Sequence, residues 1–159
     1  NLLSQGSSPV IQYFYEKWLL TPHPGEASRL LSTSTENIQT DREQAMRELL
    51  QRHGGAVILK GQGSLVGSGP ASRQRIECCQ HGNPGMASGG MGDVLTGVCA
   101  ALLAQGKSPL EAAKLGAWVC GRSAEIALRD GAASQESLRA SAVIDRLGAA
   151  FDDLRLNPL

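Results

Sequence analysis

The sequence has few aromatic residues, no net charge and no long apolar run. Aromatic side chains make up 4% of the 159 residues, which argues against a surface that stacks nucleic-acid bases. The 15 Lys and Arg residues balance 15 Asp and Glu residues, so no net field attracts nucleic acid or an acidic membrane. No apolar run approaches the roughly 20 residues that cross a bilayer, and we expect no secretory signal. The sequence therefore predicts neither a nucleic-acid nor a membrane partner.

The four cysteines lack the spacing of a metal site. Cys78 and Cys79 are adjacent, Cys99 and Cys120 fall within helical patterns, and no Cys-x-x-Cys pair occurs. We therefore expect buried, reduced thiols, no disulfide framework and no zinc site, as in a cytoplasmic protein. The length, with 42% apolar residues, suits one domain with a sizeable core.

Glycine is abundant, with 19 residues, and five of them fall within 82–93. This segment reads Gly-Asn-Pro-Gly-Met-Ala-Ser-Gly-Gly-Met-Gly-Asp, and the apolar spacing after it predicts a helix over about 90–105. A glycine turn before a helix presents free N–H groups and the positive end of the helix dipole, which suit a phosphate or oxyanion. Asp93 is either a charge that stabilises the helix or a base beside that anion. The alternative for the whole segment is a glycine-rich turn that binds no ligand. A Walker A loop is excluded because its lysine is missing.

The rest of the chain predicts strands and helices around this segment. We expect a short strand or helix end at 10–15, a buried strand at 18–20, a helix that starts near Pro24, and another, capped by Thr35 or Thr40, that ends at His53. The apolar run 56–60 predicts a strand covered on both faces, and 65–66 with 73–79 predicts a hairpin. Further helices are expected from a Ser108 cap to Arg129 and over 135–151. This order indicates an α/β architecture.

Three motifs together point to a family: Thr-Pro-His-Pro-Gly-Glu at 21–26, Leu-Lys-Gly-Gln-Gly-Ser at 59–64, and Asn-x-Gly at 83–85 followed by Gly-Met-Gly-Asp at 90–93. They resemble the ADP/ATP-dependent NAD(P)H-hydrate dehydratases, whose ribokinase-like domain is often fused to an NAD(P)H-hydrate epimerase domain. The resemblance implies a three-layer ribokinase-like α/β fold. In the family an Asn-Leu-Leu like that at 1–3 lies in mid-domain, so 1–159 would be a C-terminal portion of such a domain.

The resemblance implies a lyase reaction that restores NADH or NADPH from its 6-hydroxy hydrate while ADP or ATP is consumed. Asp93 would be the base that activates the hydrate hydroxyl, and His23 would also contact the hydrate. The phosphoryl charge would be stabilised by backbone N–H groups of Gly90, Met91 and Gly92. The adenine nucleotide would lie against Lys60, Gly61, Gln62, Gly63 and Ser64, together with Gly92. Mg²⁺ is expected with the nucleotide, without a carboxylate cluster of its own, and relatives suggest a homo-oligomer.

Two other functions remain open from the sequence. A small-molecule kinase of the same fold would use Asp93 in the same way but leave phosphate on its product, and the His23 hexapeptide favours the dehydratase. A catalytically silent nucleotide-binding fragment would fit a chain that lacks the N-terminal half of the domain. Without the resemblance, His23 reads as a loop histidine and Lys60 as a strand-end lysine. Glu26 is expected to cap a helix or hold the loop rather than react, and His53 and His81 are expected to be structural.

Overall fold

The computed structural model describes residues 17–70 and 73–156. The element predicted at 10–15 therefore lies outside the described residues. The described elements follow in this order: β1 (Leu19–Leu20), α1 (Pro24–Leu31), α2 (Thr35–Thr40), α3 (Arg42–His53), β2 (Ala56–Leu59), β3 (Ser64–Ser68), β4 (Arg75–Cys79), a 3₁₀ turn (Pro84–Ala87), α4 (Met91–Ala104), α5 (Pro109–Arg129), α6 (Ala140–Ile144) and α7 (Leu147–Leu156).

The four described strands form one mixed sheet in the order β1-β2-β3-β4. Strands β1 and β2 are parallel, with Leu19 opposite Ala56, while β3 runs antiparallel to both of its neighbours, β2 and β4. The predicted hairpin is therefore confirmed as β3 and β4. Because β1 and β2 are parallel, the residues that follow them lie at the same edge of the sheet.

Helices cover both faces of this sheet. All four residues of β2 are buried, and their side chains alternate between two cores. Val57 and Leu59 pack with residues of α1, α2 and α3, whereas Ala56 and Ile58 pack with residues of α4 and α5. The prediction of a strand covered on both faces is confirmed, and the described chain has the three layers expected of the fold.

Helices α4 and α5 pack closely because α5 carries small residues where the two meet. A Cβ built on Gly116 would lie 2.5 Å from the Sγ of Cys99. Burial raises the pKa of Cys99 to about 11 and that of Cys120 to about 12, so both thiols stay protonated. All four cysteines are free, as predicted, but Cys78 is exposed, which corrects the expectation that every thiol is buried.

The helix caps were predicted in part. Ser108 forms a capping box with Glu111 at the start of α5, as expected. The caps proposed at Thr35 and Thr40 are wrong, because Ser34 caps α2 and Asp41 caps α3, each side chain accepting a backbone N–H three residues later. In both cases the cap is the residue adjacent to the predicted threonine.

The single helix predicted over 135–151 is also wrong, since this stretch holds α6 and the start of α7. Ser134 N–H donates to the Ser137 hydroxyl, and the carbonyl of Leu138 accepts from Ser88. Leu138 itself is buried in a core cluster with α4 and α5 residues. Because of these contacts, 135–138 packs against the glycine-rich segment and does not form the first turn of the predicted helix.

Among the described residues, no helix combines the length and the apolar character that crossing a bilayer requires.

Candidate functional site at the ends of two parallel strands

The ends of β1 and β2 meet the first turn of α4. Lys60 follows β2, and its N–H donates to the carbonyl of Pro22, which follows β1, over 2.9 Å. From the helix side, the Thr96 hydroxyl donates to the carbonyl of Gly92 at 2.9 Å and lies 3.2 Å from the Thr21 hydroxyl. Residues from the three sequence motifs thus come together at one edge of the sheet.

The Lys60 ammonium lies beside Gly92. A Cβ built on Gly92 would be 3.0 Å from Lys60 Nζ, so the missing side chain leaves room for the ammonium against the helix. The same Nζ is 3.5 Å from Oε2 of Glu26. Burial alone would raise the pKa of Glu26, but the hydrogen bond from His23 N–H and this ion pair outweigh it and hold the pKa below its ordinary value. Lys60 is therefore placed by an anionic partner and by the start of α4.

His23 is the N-cap of α1, and its Nδ1 accepts from the N–H groups of Gly25 at 3.1 Å and Glu26 at 3.3 Å. The Glu26 carboxylate accepts from His23 N–H at 2.7 Å, which completes a capping box and confirms the capping role expected for Glu26. Because Nδ1 is an acceptor, the ring proton of neutral His23 lies on Nε2. The His23 side chain is 51% exposed, and its Nε2 edge, 3.7 Å from Oε2 of Glu26, is the edge that a ligand can reach.

The start of α4 keeps its backbone donors free. Its N-cap, Gly90, has φ +86° and no side chain to accept a hydrogen bond. The first bond inside the helix is from Val94 N–H to the Gly90 carbonyl, so the N–H groups of Met91, Gly92 and Asp93 have no partner within the helix. The Met91 side chain is buried in the core, and only its backbone takes part in the site. Asp93 is exposed in this first turn.

The turn from Gly61 to Ser64, predicted to hold a nucleotide, is fixed by Arg42. The Arg42 guanidinium donates to the carbonyl of Gln62 at 2.6 Å and to that of Leu59 at 3.2 Å. Gly61 has φ +154° and Gly63 has φ +63°, conformations that favour glycine. Sequence reasoning missed Arg42, because an arginine in the first turn of an amphipathic helix looks like a solvated surface residue.

The two remaining histidines lie apart from these groups, as expected. His53 is the last residue of α3 and precedes β2 in the chain, whereas Lys60 follows β2. The carbonyl of His53 accepts from Trp18 Nε1 at 2.7 Å. Burial lowers the pKa of His53. His81 contacts Glu125 on α5, with Nδ1 and Oε1 3.1 Å apart. Within the described ranges, no group of three or more His, Cys, Asp or Glu side chains is placed to hold a metal ion.

Comparison with known proteins decides the family. A family model described as NAD(P)H-hydrate dehydratase matches residues 1–146. The chain belongs to this family. Among dehydratase relatives, it is 55% identical over 109 residues to the bifunctional NAD(P)H-hydrate repair enzyme Nnr of Vibrio cholerae, a match that covers 68% of this chain and 21% of that protein. It is 44% identical over 108 residues to the ADP-dependent (S)-NAD(P)H-hydrate dehydratase of Neisseria meningitidis, covering 68% of this chain and 36% of that protein.

Solved structures give the same fold. The ADP/ATP-dependent NAD(P)H-hydrate dehydratase of Bacillus subtilis, co-crystallised with ATP and Mg²⁺, superposes with a TM-score of 0.76 at 27% identity, covering 85% of this chain and 47% of that one. A ribokinase-like superfamily protein of Enterococcus faecalis gives 0.64 at 23% identity, covering 95% and 56%. This chain therefore has a ribokinase-like fold and spans about half the length of these two solved chains.

Proposed function

We propose that this chain contributes to an ADP- or ATP-dependent dehydratase that converts the hydrate of NADH or NADPH back to the reduced nucleotide. The observation that carries the proposal is the meeting of Lys60 with Gly92 at the start of α4, where an ammonium and unpaired N–H groups converge. We also propose that 1–159 is the C-terminal portion of a ribokinase-like domain. This is supported by the coverage of about half of the Bacillus subtilis chain.

In this proposal the phosphates of the nucleotide lie between Lys60 and the N–H groups that start α4, with the turn 61–64 holding the rest of the nucleotide. Such donors are set in place before reaction and suit the charge that develops on a phosphoryl group. Asp93 accepts the proton of the hydrate hydroxyl as that oxygen attacks the terminal phosphorus, and the bond to the AMP or ADP leaving group breaks. The phosphoester then loses phosphate and a proton from the adjacent ring carbon, which restores the reduced nicotinamide.

His23 would contact the hydrate through Nε2, since Nδ1 is occupied by the cap of α1. Mg²⁺ fits this site as a companion of the nucleotide, because Mg²⁺ is usually bound by one or two carboxylates and substrate phosphates. Because Asp93 is the proposed base, Glu26, with Oε2 3.5 Å from Lys60 Nζ, is the carboxylate that would accompany Mg²⁺, and the bound ion would neutralise phosphate charge there.

The proposal extends to partners. Relatives named as bifunctional repair enzymes, from Vibrio cholerae and Coxiella burnetii, support an epimerase domain fused to or paired with this one. We further propose a cytoplasmic homo-oligomer. Intact mass and light scattering of the native protein test both points, because a fused domain raises the subunit mass and an oligomer raises the mass in solution by a whole-number factor.

The test of the function is the replacement Asp93→Asn in the native protein, with Asp152→Asn as its matched control. Asp152 is exposed on α7, where it pairs with Arg155. With NADH hydrate and ADP or ATP, the wild type and the control should recover reduced-nicotinamide absorbance and release phosphate. Asp93→Asn should lose at least about 100-fold in turnover, as expected for a general base, while still binding ADP.

Each result has a distinct meaning. A stable phosphoester product would support the kinase of the same fold. Nucleotide binding by the wild type without turnover of either kind would support the silent binding fragment. Wild-type turnover in Asp93→Asn would exclude Asp93 as the base.

A further inference from the structure

The carboxylate of Glu125 on α5 contacts the chain where the glycine-rich segment begins, at His81 and Gly82. Its Oε1 accepts from the N–H of Gly82 at 2.9 Å and is 3.1 Å from Nδ1 of His81. The imidazole of His81 also packs edge-on against the indole of Trp118, with ring centroids 5.3 Å apart. One side chain of α5 thus binds both the backbone and the side chain of a distant loop.

Glu125 is itself held in place from the other side. Nη1 of Arg122 lies 3.0 Å from Glu125 Oε2, and the same guanidinium binds Asp153 of α7 through Nε and Nη2 at 2.8 Å. Despite burial, the hydrogen bonds from Gly82 and Arg122 hold the pKa of Glu125 below its ordinary value. Both carboxylate oxygens are therefore occupied, which restricts the rotation of this half-buried side chain.

Glycine allows α5 and the loop to approach each other. A Cβ on Gly121 would lie 2.6 Å from the carbonyl carbon and oxygen of His81, closer than real Cβ atoms come. Gly121 precedes Glu125 by one helical turn, so both residues face the loop from the same side of α5. Gly82 has φ +120°, which lets the chain turn directly after the Glu125 contact.

Beyond this contact, the segment is fixed again before α4 begins. The Asn83 side chain accepts from Gly85 N–H at 3.0 Å, and the Ser88 hydroxyl donates to the carbonyl of Leu138 at 3.0 Å. A Cβ on Gly85 would lie 2.4 Å from the carbonyl oxygen of Gln135. The glycine-rich segment therefore has one anchor at Glu125 and a second at 135–138, and only 89–90 separates the second from α4.

We propose that Glu125 is a positioning residue that sets the path of 81–88 and, through it, the N–H groups at the start of α4. This proposal rests on the proposed function, in which those N–H groups bind nucleotide phosphate. Glu125 does not touch the reacting atoms in this account. A glycine-rich chain can adopt many conformations, and ordering it when the nucleotide binds would cost free energy. Glu125 lowers that cost because it restricts the conformations of the segment before the nucleotide binds.

The experiment compares Glu125→Ala and Glu125→Gln in the native protein. Alanine removes every contact, whereas glutamine retains an oxygen that can accept from Gly82 and loses the charge that pairs with Arg122. Glu77→Ala and Glu77→Gln are matched controls, because Glu77 of β4 pairs with Lys114, also on α5, but does not contact the glycine-rich segment. Thermal unfolding first establishes that each variant is folded at the working temperature.

Two measurements then decide the matter. Amide hydrogen exchange over 81–90 should accelerate about 10-fold or more in Glu125→Ala, as expected when charged hydrogen bonds that close a segment are lost. Glutamine should restore part of this protection. The dissociation constant for ADP with Mg²⁺ should rise about 10-fold in Glu125→Ala, less in Glu125→Gln, and should not change in either Glu77 variant.

Unchanged exchange over 81–90 in Glu125→Ala would overturn the proposal, as would faster exchange with unchanged ADP affinity. A change of equal size in the Glu77 variants would show that general loss of stability is the cause, which also overturns it. If the wild type fails to bind ADP, the proposed function fails and the link from Glu125 to nucleotide binding is refuted with it. In that case accelerated exchange would still establish Glu125 as the anchor of the segment.

Discussion

Replacing Gly92 by alanine should separate folding stability from nucleotide binding, because the two effects have opposite signs. Gly92 is the second residue of α4 and is not among the glycines with positive φ, so its backbone accepts an alanine. Alanine is favoured over glycine in helix interiors by roughly 0.8–1.0 kcal/mol. The new Cβ would lie 3.0 Å from Lys60 Nζ, the flexible end of a side chain that can move by a few tenths of an ångström. We therefore expect the free energy of unfolding to stay constant or rise by up to about 1 kcal/mol.

Nucleotide binding should weaken in the same variant. The added methyl group occupies the space between the Lys60 ammonium and the first turn of α4, where the proposed phosphate is bound. Loss of one charge-assisted hydrogen bond costs roughly 1.5–3 kcal/mol, which corresponds to an increase of about 10- to 100-fold in the dissociation constant. Calorimetric titration with ADP and Mg²⁺ measures this change directly.

Gly97→Ala is the control for this variant. Gly97 lies in the same helix, and a Cβ built on it meets no atom within 4 Å, so this variant should gain helix stability and bind ADP as the wild type does. If Gly92→Ala and Gly97→Ala bind ADP equally well, the phosphate does not lie between Lys60 and α4. If Gly92→Ala is less stable than the wild type, the Lys60 ammonium does not move away from the added methyl group, and the expected gain in stability is refuted.

Two further predictions concern stability. The hydrogen bond from His23 N–H and the ion pair with Lys60 lower the pKa of Glu26 from 4.5, so the stability contributed by its carboxylate is fully present above the unfolded pKa and is lost as pH falls through the folded value. Denaturant unfolding at neutral pH and at about pH 3 should therefore show a larger acid-induced loss of stability for the wild type than for Glu26→Gln. Equal losses in the two proteins would refute the stabilisation of the Glu26 carboxylate in the folded state. Gly116→Ala should lower the free energy of unfolding by about 1–3 kcal/mol through overpacking, since its Cβ would lie 2.5 Å from Cys99 Sγ. Gly148→Ala, in open space on α7, should cost nothing in the same measurement, and equal effects would exclude overpacking as the cause.

The sequence predicted most of the fold where local signals were strong. The Ser108 cap and the apolar run 56–60 each combine composition with spacing, and both were confirmed, the run as β2, which ends at Leu59. The prediction of one helix over 135–151 was wrong because the contacts that break it are tertiary. The Leu138 carbonyl binds Ser88, which lies far away in the chain, and no local pattern indicates that contact.

The three motifs that form the candidate site could be predicted from the sequence, but the positions of their residues relative to one another could not. The approach of Lys60 to Gly92 depends on the parallel pairing of β1 and β2 and on how α4 packs against them. Only the structure could therefore show that a Cβ built on Gly92 would lie 3.0 Å from Lys60 Nζ. The cap formed by His23 Nδ1 was not predicted either, because histidine is not among the preferred N-cap residues and the resemblance assigned its ring to the hydrate.

Glu125 shows why the motifs alone underestimate the site. The three motifs hold the residues that we propose to touch nucleotide and hydrate, whereas the carboxylate that fixes the path into the glycine-rich segment lies on α5, outside all of them. The signal that could have drawn attention to it is a glutamate placed among the small, buried residues of that helix, one turn after Gly121. A charged group in such surroundings is retained only where polar partners offset its desolvation, and here Gly82, His81 and Arg122 are those partners. In this chain the anchor of the segment that we propose to bind phosphate therefore comes from the helix packed behind it, and not from the three motifs.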